Sequence, residues 1–158
     1  MDRDQFIEQV KIQQNALRGF LLALCGGNLA DADDIAQEAL VKAYLAIGRY
    51  SDSGQFKSWL FKIAYNTFLN HTASQKQYGS IDEAYTVASQ ESAESSFSHQ
   101  QLYLALSTLP PKERTAITLY YLSGYSIKEI AAITEVNADA VKKQMSRGRE
   151  KLKNIIKL

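Results

Sequence analysis

The sequence is poor in residues that form cross-links, because it has one cysteine among 158 residues. Cys25 has no intramolecular partner, so a disulfide and a multi-cysteine zinc site are excluded, and a reducing compartment is expected. Two prolines and eight glycines also exclude collagen-like and low-complexity chains. With 46% hydrophobic and 22% charged residues, the chain has the composition of a folded globular protein.

Long hydrophobic runs are missing as well. The apolar run from Gly19 to Cys25 is far shorter than the roughly 20 residues that span a bilayer. The chain does not open with the basic start, apolar core and small-residue cleavage site of a secretion signal. We therefore expect a cytoplasmic protein without direct membrane insertion.

The hydrophobic pattern predicts an all-α fold, because apolar residues recur at helical spacing and no segment alternates like a half-buried strand. Three N-terminal helices are expected, with Gly26-Gly27 and Gly48 placed where helices commonly end. The second helix begins near Asp31. Its apolar side chains are expected to face a core: Ile35, Leu40, Val41, Tyr44 and Ile47.

Residues 76–96 interrupt this pattern with Ser, Gln, Ala and Glu, the composition of a flexible linker. The segment carries one Lys against four Asp and Glu residues, so it is acidic. Two small helical domains follow from this boundary: three helices in 1–75 and four helices in 97–158. Pro111 suits the first position of a helix in the second domain.

The net charge of +1 conceals an uneven distribution, because residues 97–158 carry ten Lys and Arg against five Asp and Glu. Near the C-terminus a run of cations faces only Glu150: Lys142, Lys143, Arg147, Arg149, Lys151, Lys153 and Lys157. Such a basic stripe favours nucleic-acid binding through counterion release. A merely solvated helix face is the alternative.

The stretch from Ser126 to Arg149 has the spacing of a helix-turn-helix. Ser126 and Glu129 are spaced as a capping box that opens a short helix. Asn137 is a favoured N-cap for the next helix, which bears the basic stripe. Spacing and charge together predict that this second helix enters a major groove; a plain helical hairpin within a core is the alternative.

A second cluster is acidic, since Asp31, Asp34 and Glu38 fall on one helical face. A calcium loop would need glycine and glutamate where Ala36 and Lys42 stand, so that site is excluded. No motif for metal binding, cofactor binding or nucleophilic catalysis is present, and we expect neither a cofactor nor enzymatic activity. The acidic face is better explained as a surface for a partner protein.

Three segments in this order resemble the extracytoplasmic function (ECF) sigma factors of bacteria. They are DADDIAQEALVKAY at 31–44, FKSWLFKIAYN at 56–66, and ALSTLPPKERTAITLYYLSGYSIKEIAAITEVNADAVKKQMSRGREKL at 105–152. The resemblance covers nearly the whole chain and implies regions two and four of that family, without region three. It implies a subunit that binds core RNA polymerase, recognises the -10 and -35 promoter elements and promotes initiation without catalysing a reaction.

By this resemblance, each predicted surface receives a role. The core-polymerase surface, which docks on the clamp helices of the largest subunit, consists of Asp31, Asp34, Gln37 and Glu38. The loop 50–55 and the following helix hold the opened -10 element through Lys57, Trp59, Lys62 and Asn66, although Phe56 and Trp59 also fit the core stripe. The -35 surface comprises Asn137, Lys142, Lys143, Gln144, Arg147, Arg149 and Lys151. The linker is expected to thread an RNA channel of the polymerase, with a simple tether as the alternative.

The resemblance also implies an anti-sigma factor, often anchored in the membrane, that restrains the protein. The sequence departs from the family at three places. Residues 67–76 lack the usual arginine cluster, Glu135 stands where glycine is common, and Asp139-Ala140 replaces a typical Gly-Thr. These changes affect DNA preference more than the general role.

Two other functions are compatible with the residues alone. An autonomous helix-turn-helix regulator would bind duplex DNA tightly without polymerase. A helical interaction module with a solvated basic tail would bind its partner whether or not the cations are present.

Overall fold

The computed structural model describes residues 1–51, 54–77 and 93–156, with side chains over 1–51, 54–74 and 100–155. Within these residues the secondary structure consists of α-helices and one short 3-10 helix, without a strand, which confirms the all-α prediction. The helices are α1 (Arg3–Leu24), α2 (Leu29–Leu45), α3 (Phe56–Gln77), α4 (Ala93–Ser107), α5 (Pro111–Tyr121), α6 (Ile127–Thr134) and α7 (Ala138–Ile156). We call 1–77 the N-terminal half and 93–156 the C-terminal half. Residues 76–77 and 93–96 of the expected linker are helical, and 78–92 lie outside the described residues.

Several predicted helix ends are present as expected. Helix α1 stops before Gly26 and Gly27, which both have positive φ angles, 64° and 89°, a conformation that glycine adopts without steric cost. Pro111 opens α5. The capping box is formed, since Glu129 N donates to Ser126 Oγ at 3.1 Å and Ser126 N donates to Glu129 Oε1 at 2.9 Å.

Helix α2 corrects the expectation about its apolar residues. Ile35 is buried as expected, and Leu40 and Ile47 are half-buried, but Val41 is 58% exposed and Tyr44 is 44% exposed. Its inner side is lined instead by small residues: Ala32, Ala36, Ala39 and Ala43. Small side chains permit close packing on α1 and α3, so the larger ones face outward. The helix ends at Leu45 and is followed by a 3-10 turn (Ile47–Arg49), so Gly48 is not its cap.

The two halves pack against each other: α1 contacts α4 and α5, and α3 contacts α6. One buried cluster contains Phe61 of α3 together with Tyr125, Ile130 and Met145 of the C-terminal half. The N-terminal helices therefore share a buried core with the C-terminal half. At the same junction, a Cβ atom on Gly26 would lie 2.9 Å from Cβ of Ser107, which only glycine avoids.

Arg114 connects the halves from within the C-terminal half. Its Nη1 donates to the carbonyl oxygen of Leu24, at the end of α1, at 2.6 Å. Its other donors bind three carbonyl oxygens of its own half, those of Leu106, Ser107 and Leu109. One side chain thus donates to four backbone carbonyl oxygens near two helix ends, where intrahelical donors run out; that of Leu106 also accepts from Leu109 N.

Candidate nucleic-acid and protein interfaces

Helices α6 and α7 form the predicted helix-turn-helix. Val141 and Met145 of α7 are buried against the same cluster as Ile130 of α6, which fixes the angle between the two helices. Asn137 caps α7, because its Oδ1 accepts from Ala140 N at 2.8 Å. Glu135 in the turn has a φ of 60°, the one positive φ among the non-glycine residues that the structure describes. This left-handed conformation costs a non-glycine residue roughly 1 kcal/mol.

The outer surface of α7 carries accessible cations. At about 100° per residue, the buried Val141, Met145 and Gly148 fall on one side of the helix. Lys143 and Arg147 fall on the opposite side, where both are exposed. Neither has an ion-pair partner among the described residues. We call Lys142, Lys143 and Arg147, all exposed, the α7 cationic surface.

The remaining residues predicted for -35 binding are held locally. Arg149 Nη1 lies 3.4 Å from the hydroxyl oxygen of Tyr121. Lys151 Nζ donates to both carboxylate oxygens of Glu113, at 2.9 and 3.2 Å. Gln144 is half-buried, and Asn137 uses its side-chain oxygen in the helix cap. The predicted set thus divides into three outward cations and four residues with contacts inside the C-terminal half.

On α3, the residues predicted for -10 binding do not share one face. Trp59, Lys62 and Asn66 lie on one side of the helix at about 100° per residue, and Lys57 lies on the other. Lys57 Nζ is 5.1 Å from the ring centre of Tyr125, within the range of a cation–π contact. Asn66 is exposed. The neighbouring Phe56 is buried in the core, as its place in the apolar stripe allowed.

The C-terminal half covers part of this α3 surface. Lys62 Nζ lies 3.4 Å from Oε2 of Glu135, in the turn of the helix-turn-helix. Trp59 is half-buried, with its ring centre 4.9 Å from that of Tyr50. It lines a cavity of about 330 Å³ whose opposite wall is Ala132 and Ile133 of α6. Helix α6 therefore lies against the side of α3 that carries Trp59 and Lys62. Residues 52 and 53 of the adjoining loop lie outside the described residues.

The outward side of α2 is a continuous exposed surface. Asp34, Gln37 and Glu38 are exposed, whereas Asp31 is half-buried near the helix N-terminus. The same side continues through an apolar part that the sequence reasoning missed, formed by Val41, Tyr44 and Leu45, and Leu45 is 76% exposed. The spacing of alanines on the opposite side was the available signal. We call Asp34, Gln37, Glu38, Val41, Tyr44 and Leu45 the α2 outer face.

Burial changes the acid–base behaviour of groups at the junction of the halves. It raises the pKa of Tyr125 to about 12, and desolvation lowers the pKa of Arg114. Burial, with a smaller contribution from Asp31, raises the pKa of the Cys25 thiol to about 12. Among the described residues, no cluster of His, Cys, Asp and Glu is suited to a metal ion. The described helices also include none with the length and hydropathy to cross a membrane.

The chain combines two features: a helix-turn-helix with an exposed cationic surface, and a second helical unit with an exposed acidic and apolar face. Together they define a DNA-binding protein with a separate docking surface. Two family models match it in order: Sigma-70 region 2 over residues 10–78 and Sigma-70, region 4 over residues 99–152. The ECF RNA polymerase sigma factor SigW of Bacillus subtilis is 32% identical, over 96% of this chain and 89% of that protein. The ECF RNA polymerase sigma-E factor of Escherichia coli K12 is 30% identical, over 78% of this chain and 73% of that protein.

Solved structures agree. The sigma factor RpoE from Bartonella quintana, in complex with the anti-sigma factor NepR, superposes with a TM-score of 0.85 and 27% identity over 98% of both chains. CnrH, in complex with the cytosolic domain of CnrY, has the same fold, with a TM-score of 0.77 and 22% identity over 99% of this chain and 90% of that one. The chain belongs to the ECF family of RNA polymerase sigma factors, and an autonomous helix-turn-helix regulator is not favoured.

Proposed function

We propose that this sigma factor binds core RNA polymerase through the α2 outer face. The acidic and amide groups of Asp34, Gln37 and Glu38 offer charge complementarity, which directs docking more than it adds affinity. The exposed Val41, Tyr44 and Leu45 supply apolar area that a partner can bury. An exposed tyrosine beside aliphatic groups is also a common composition for the centre of an interface. Asp31 would contribute from the edge.

The α3 surface is proposed to hold the opened -10 element. Single-stranded DNA needs cations for phosphates and aromatic rings for bases, and Lys62, Trp59 and Asn66 offer these groups on one side of the helix. Lys57 would join them after its contact with Tyr125 is broken. The corresponding unit is residues 1–75, in line with the region 2 match.

The α7 cationic surface is proposed to bind the -35 element, with Lys142, Lys143 and Arg147 facing the major groove. Arg149 and Lys151 would reach phosphates at its edge, and Gln144 and Asn137 would lie near the bases. The corresponding unit is residues 97–158, connected through the acidic linker 76–96. The protein would act in the cytoplasm and leave catalysis to the polymerase.

An anti-sigma factor is the proposed regulator. RpoE of Bartonella quintana was solved in complex with the anti-sigma factor NepR, and CnrH was solved in complex with the cytosolic domain of CnrY. The similarity over both halves makes this chain a suitable target for such an inhibitor.

One observation carries the proposal: an exposed docking face on α2 and an exposed cationic recognition helix occur in one folded chain. The test is pull-down of core polymerase followed by run-off transcription on genomic promoter fragments. We expect the protein to bind core and to initiate transcription that core alone does not start. Tight binding to duplex DNA without any binding to core would overturn the proposal.

A further inference from the structure

We propose that the free chain blocks its own -10 surface, with the Glu135–Lys62 ion pair acting as the latch. The proposal rests on the assignment of α3 to single-stranded DNA given above. Helix α6 lies over α3, and the carboxylate of Glu135 is 3.4 Å from Lys62 Nζ. A DNA phosphate and this carboxylate are both anions, so they compete for one ammonium group. Glu135 thus takes the place of a phosphate in the closed chain.

The backbone at Glu135 supports a specific role for its side chain. With a φ of 60°, the residue occupies a conformation that glycine adopts freely and that a glutamate adopts only at a steric cost. The C-cap position of α6 would therefore be better served by glycine for folding alone. What glutamate adds there is a carboxylate directed at the N-terminal half.

Other contacts align the latch. Lys57 Nζ lies 5.1 Å from the Tyr125 ring centre, and the Phe61 and Tyr125 ring centres are 5.6 Å apart in an edge-on arrangement. Two cations assigned to DNA are thus engaged with the C-terminal half at once. Lys62 and Glu135 remain 41% and 62% exposed, so water and salt screen their attraction. The latch is weak enough to open when another binding event favours the open form.

The arrangement of the two halves is also similar to that in a related sigma factor of known structure. The TM-score of 0.85 over 98% of both chains requires a similar placement of the two halves, beyond a similar fold within each. That relative was solved with an anti-sigma factor bound. An inhibitor of that kind would stabilise the closed form of the present chain by binding it better than the open form.

The chain carries its own reporter of opening, because Trp59 is its only tryptophan and lines the cavity beneath α6. Acrylamide quenching of Trp59 fluorescence in the full chain measures how far α6 covers it. The variants are Glu135→Lys, which places two ammonium groups together, and Glu135→Gly, which removes the carboxylate and suits the positive φ. Asp4→Lys is the matched control, since Asp4 is exposed on α1, away from the surfaces assigned to DNA, and the change in net charge equals that of Glu135→Lys.

We expect the open fraction to rise about two- to fivefold in Glu135→Lys, the effect of losing an exposed ion pair and adding repulsion. Quenching should rise accordingly, less so in Glu135→Gly and not in Asp4→Lys. Binding of a short single-stranded DNA of mixed sequence, measured by anisotropy, should strengthen more in Glu135→Lys than in Asp4→Lys. The control subtracts the general attraction of added positive charge.

Equal quenching in all four proteins would overturn the latch, even if the wild-type protein initiates transcription normally. Increased quenching without a gain in single-stranded DNA binding over the control would overturn the blocking role and the assignment of α3 to DNA. If the wild-type protein neither bound core polymerase nor initiated transcription, the proposed function itself would be refuted.

Discussion

The two proposed DNA surfaces differ in how they are held. On α7, Lys143 and Arg147 point outward and have no ion-pair partner among the described residues. On α3, Lys62 is paired with Glu135 and Lys57 lies over Tyr125. The first surface is accessible in the closed chain, whereas the second needs the halves to separate. The chain is therefore suited to meet duplex DNA before it can hold an opened strand.

The difference between the two surfaces depends on how firmly the halves are joined. Replacing Arg114, which connects them, is expected to have the largest effect. In Arg114→Ala, four carbonyl oxygens each lose one hydrogen bond, including that of Leu24 across the junction. We expect the free energy of unfolding to fall by about 3 kcal/mol, because hydrogen bonds from a charged donor to buried acceptors are strong. Urea denaturation followed by circular dichroism measures the change.

The control is Arg18→Ala, which removes an exposed ion pair with Asp33 and should cost less than about 0.5 kcal/mol. Similar losses in the two variants would contradict the idea that Arg114 joins the halves.

The accessibility of the α7 cationic surface is tested next. The double variant Lys143→Glu, Arg147→Glu should weaken binding to duplex DNA about thirtyfold, because two phosphate or base contacts become repulsive. The slope of log affinity against log salt should also become less steep by about two. Anisotropy titrations over a salt series give both quantities.

Arg3→Glu, Lys11→Glu is the matched control, since both residues are exposed on α1 and the change in net charge is the same. A comparable loss of DNA binding in this control would mean that total charge, and not the α7 cationic surface, decides affinity.

The α2 outer face should be independent of both DNA surfaces. Leu45→Asp places a charge at a 76% exposed position, so folding should be unaffected while affinity for core polymerase falls about tenfold. Ile12→Asp, at a 62% exposed position on α1, is the control and should leave core binding unchanged. Surface plasmon resonance with immobilised core measures the affinity of both variants. Equal affinities of the two variants would place the docking surface elsewhere.

Cys25 gives the smallest effect and reports on burial beside Arg114. Its pKa is raised from about 9 to about 12 in the folded chain, so above pH 9 the unfolded state releases its proton first. Stability from the buried neutral thiol is complete below the unfolded pKa and is lost as pH rises toward the folded one. From about pH 9 to 10 the wild type should lose about 1 kcal/mol more than Cys25→Ala. If the free energies of unfolding of the wild type and of Cys25→Ala fell in parallel over this pH range, the thiol would not be buried as described.

The local features of the fold could be predicted from the sequence, because they depend on neighbouring residues. The Gly26-Gly27 stop, the Ser126–Glu129 capping box and the Asn137 cap each involve residues within a few positions of one another. Glu135 stands where the family commonly has glycine, and the structure gives it a positive φ. The helix-turn-helix follows from such signals.

The features that were missed depend on contacts between distant residues. Val41 and Tyr44 fit a core stripe by spacing, but the alanines of α2 pack more closely and take the inner side. Lys62 and Glu135 are far apart in the chain, so no periodicity connects them. The covering of α3 by α6 is a tertiary property that the linker and charge patterns do not reveal.

The most direct test of the account is the distance between the halves as core polymerase is added. Spin labels on Asn15→Cys in α1 and Lys128→Cys in α6, in a Cys25→Ala background, allow a distance distribution to be measured by double electron–electron resonance. We predict one short distance in the free protein and a longer one in the complex with core. An unchanged short distance in a transcriptionally active complex would contradict the claim that the α3 surface is exposed by separation of the halves.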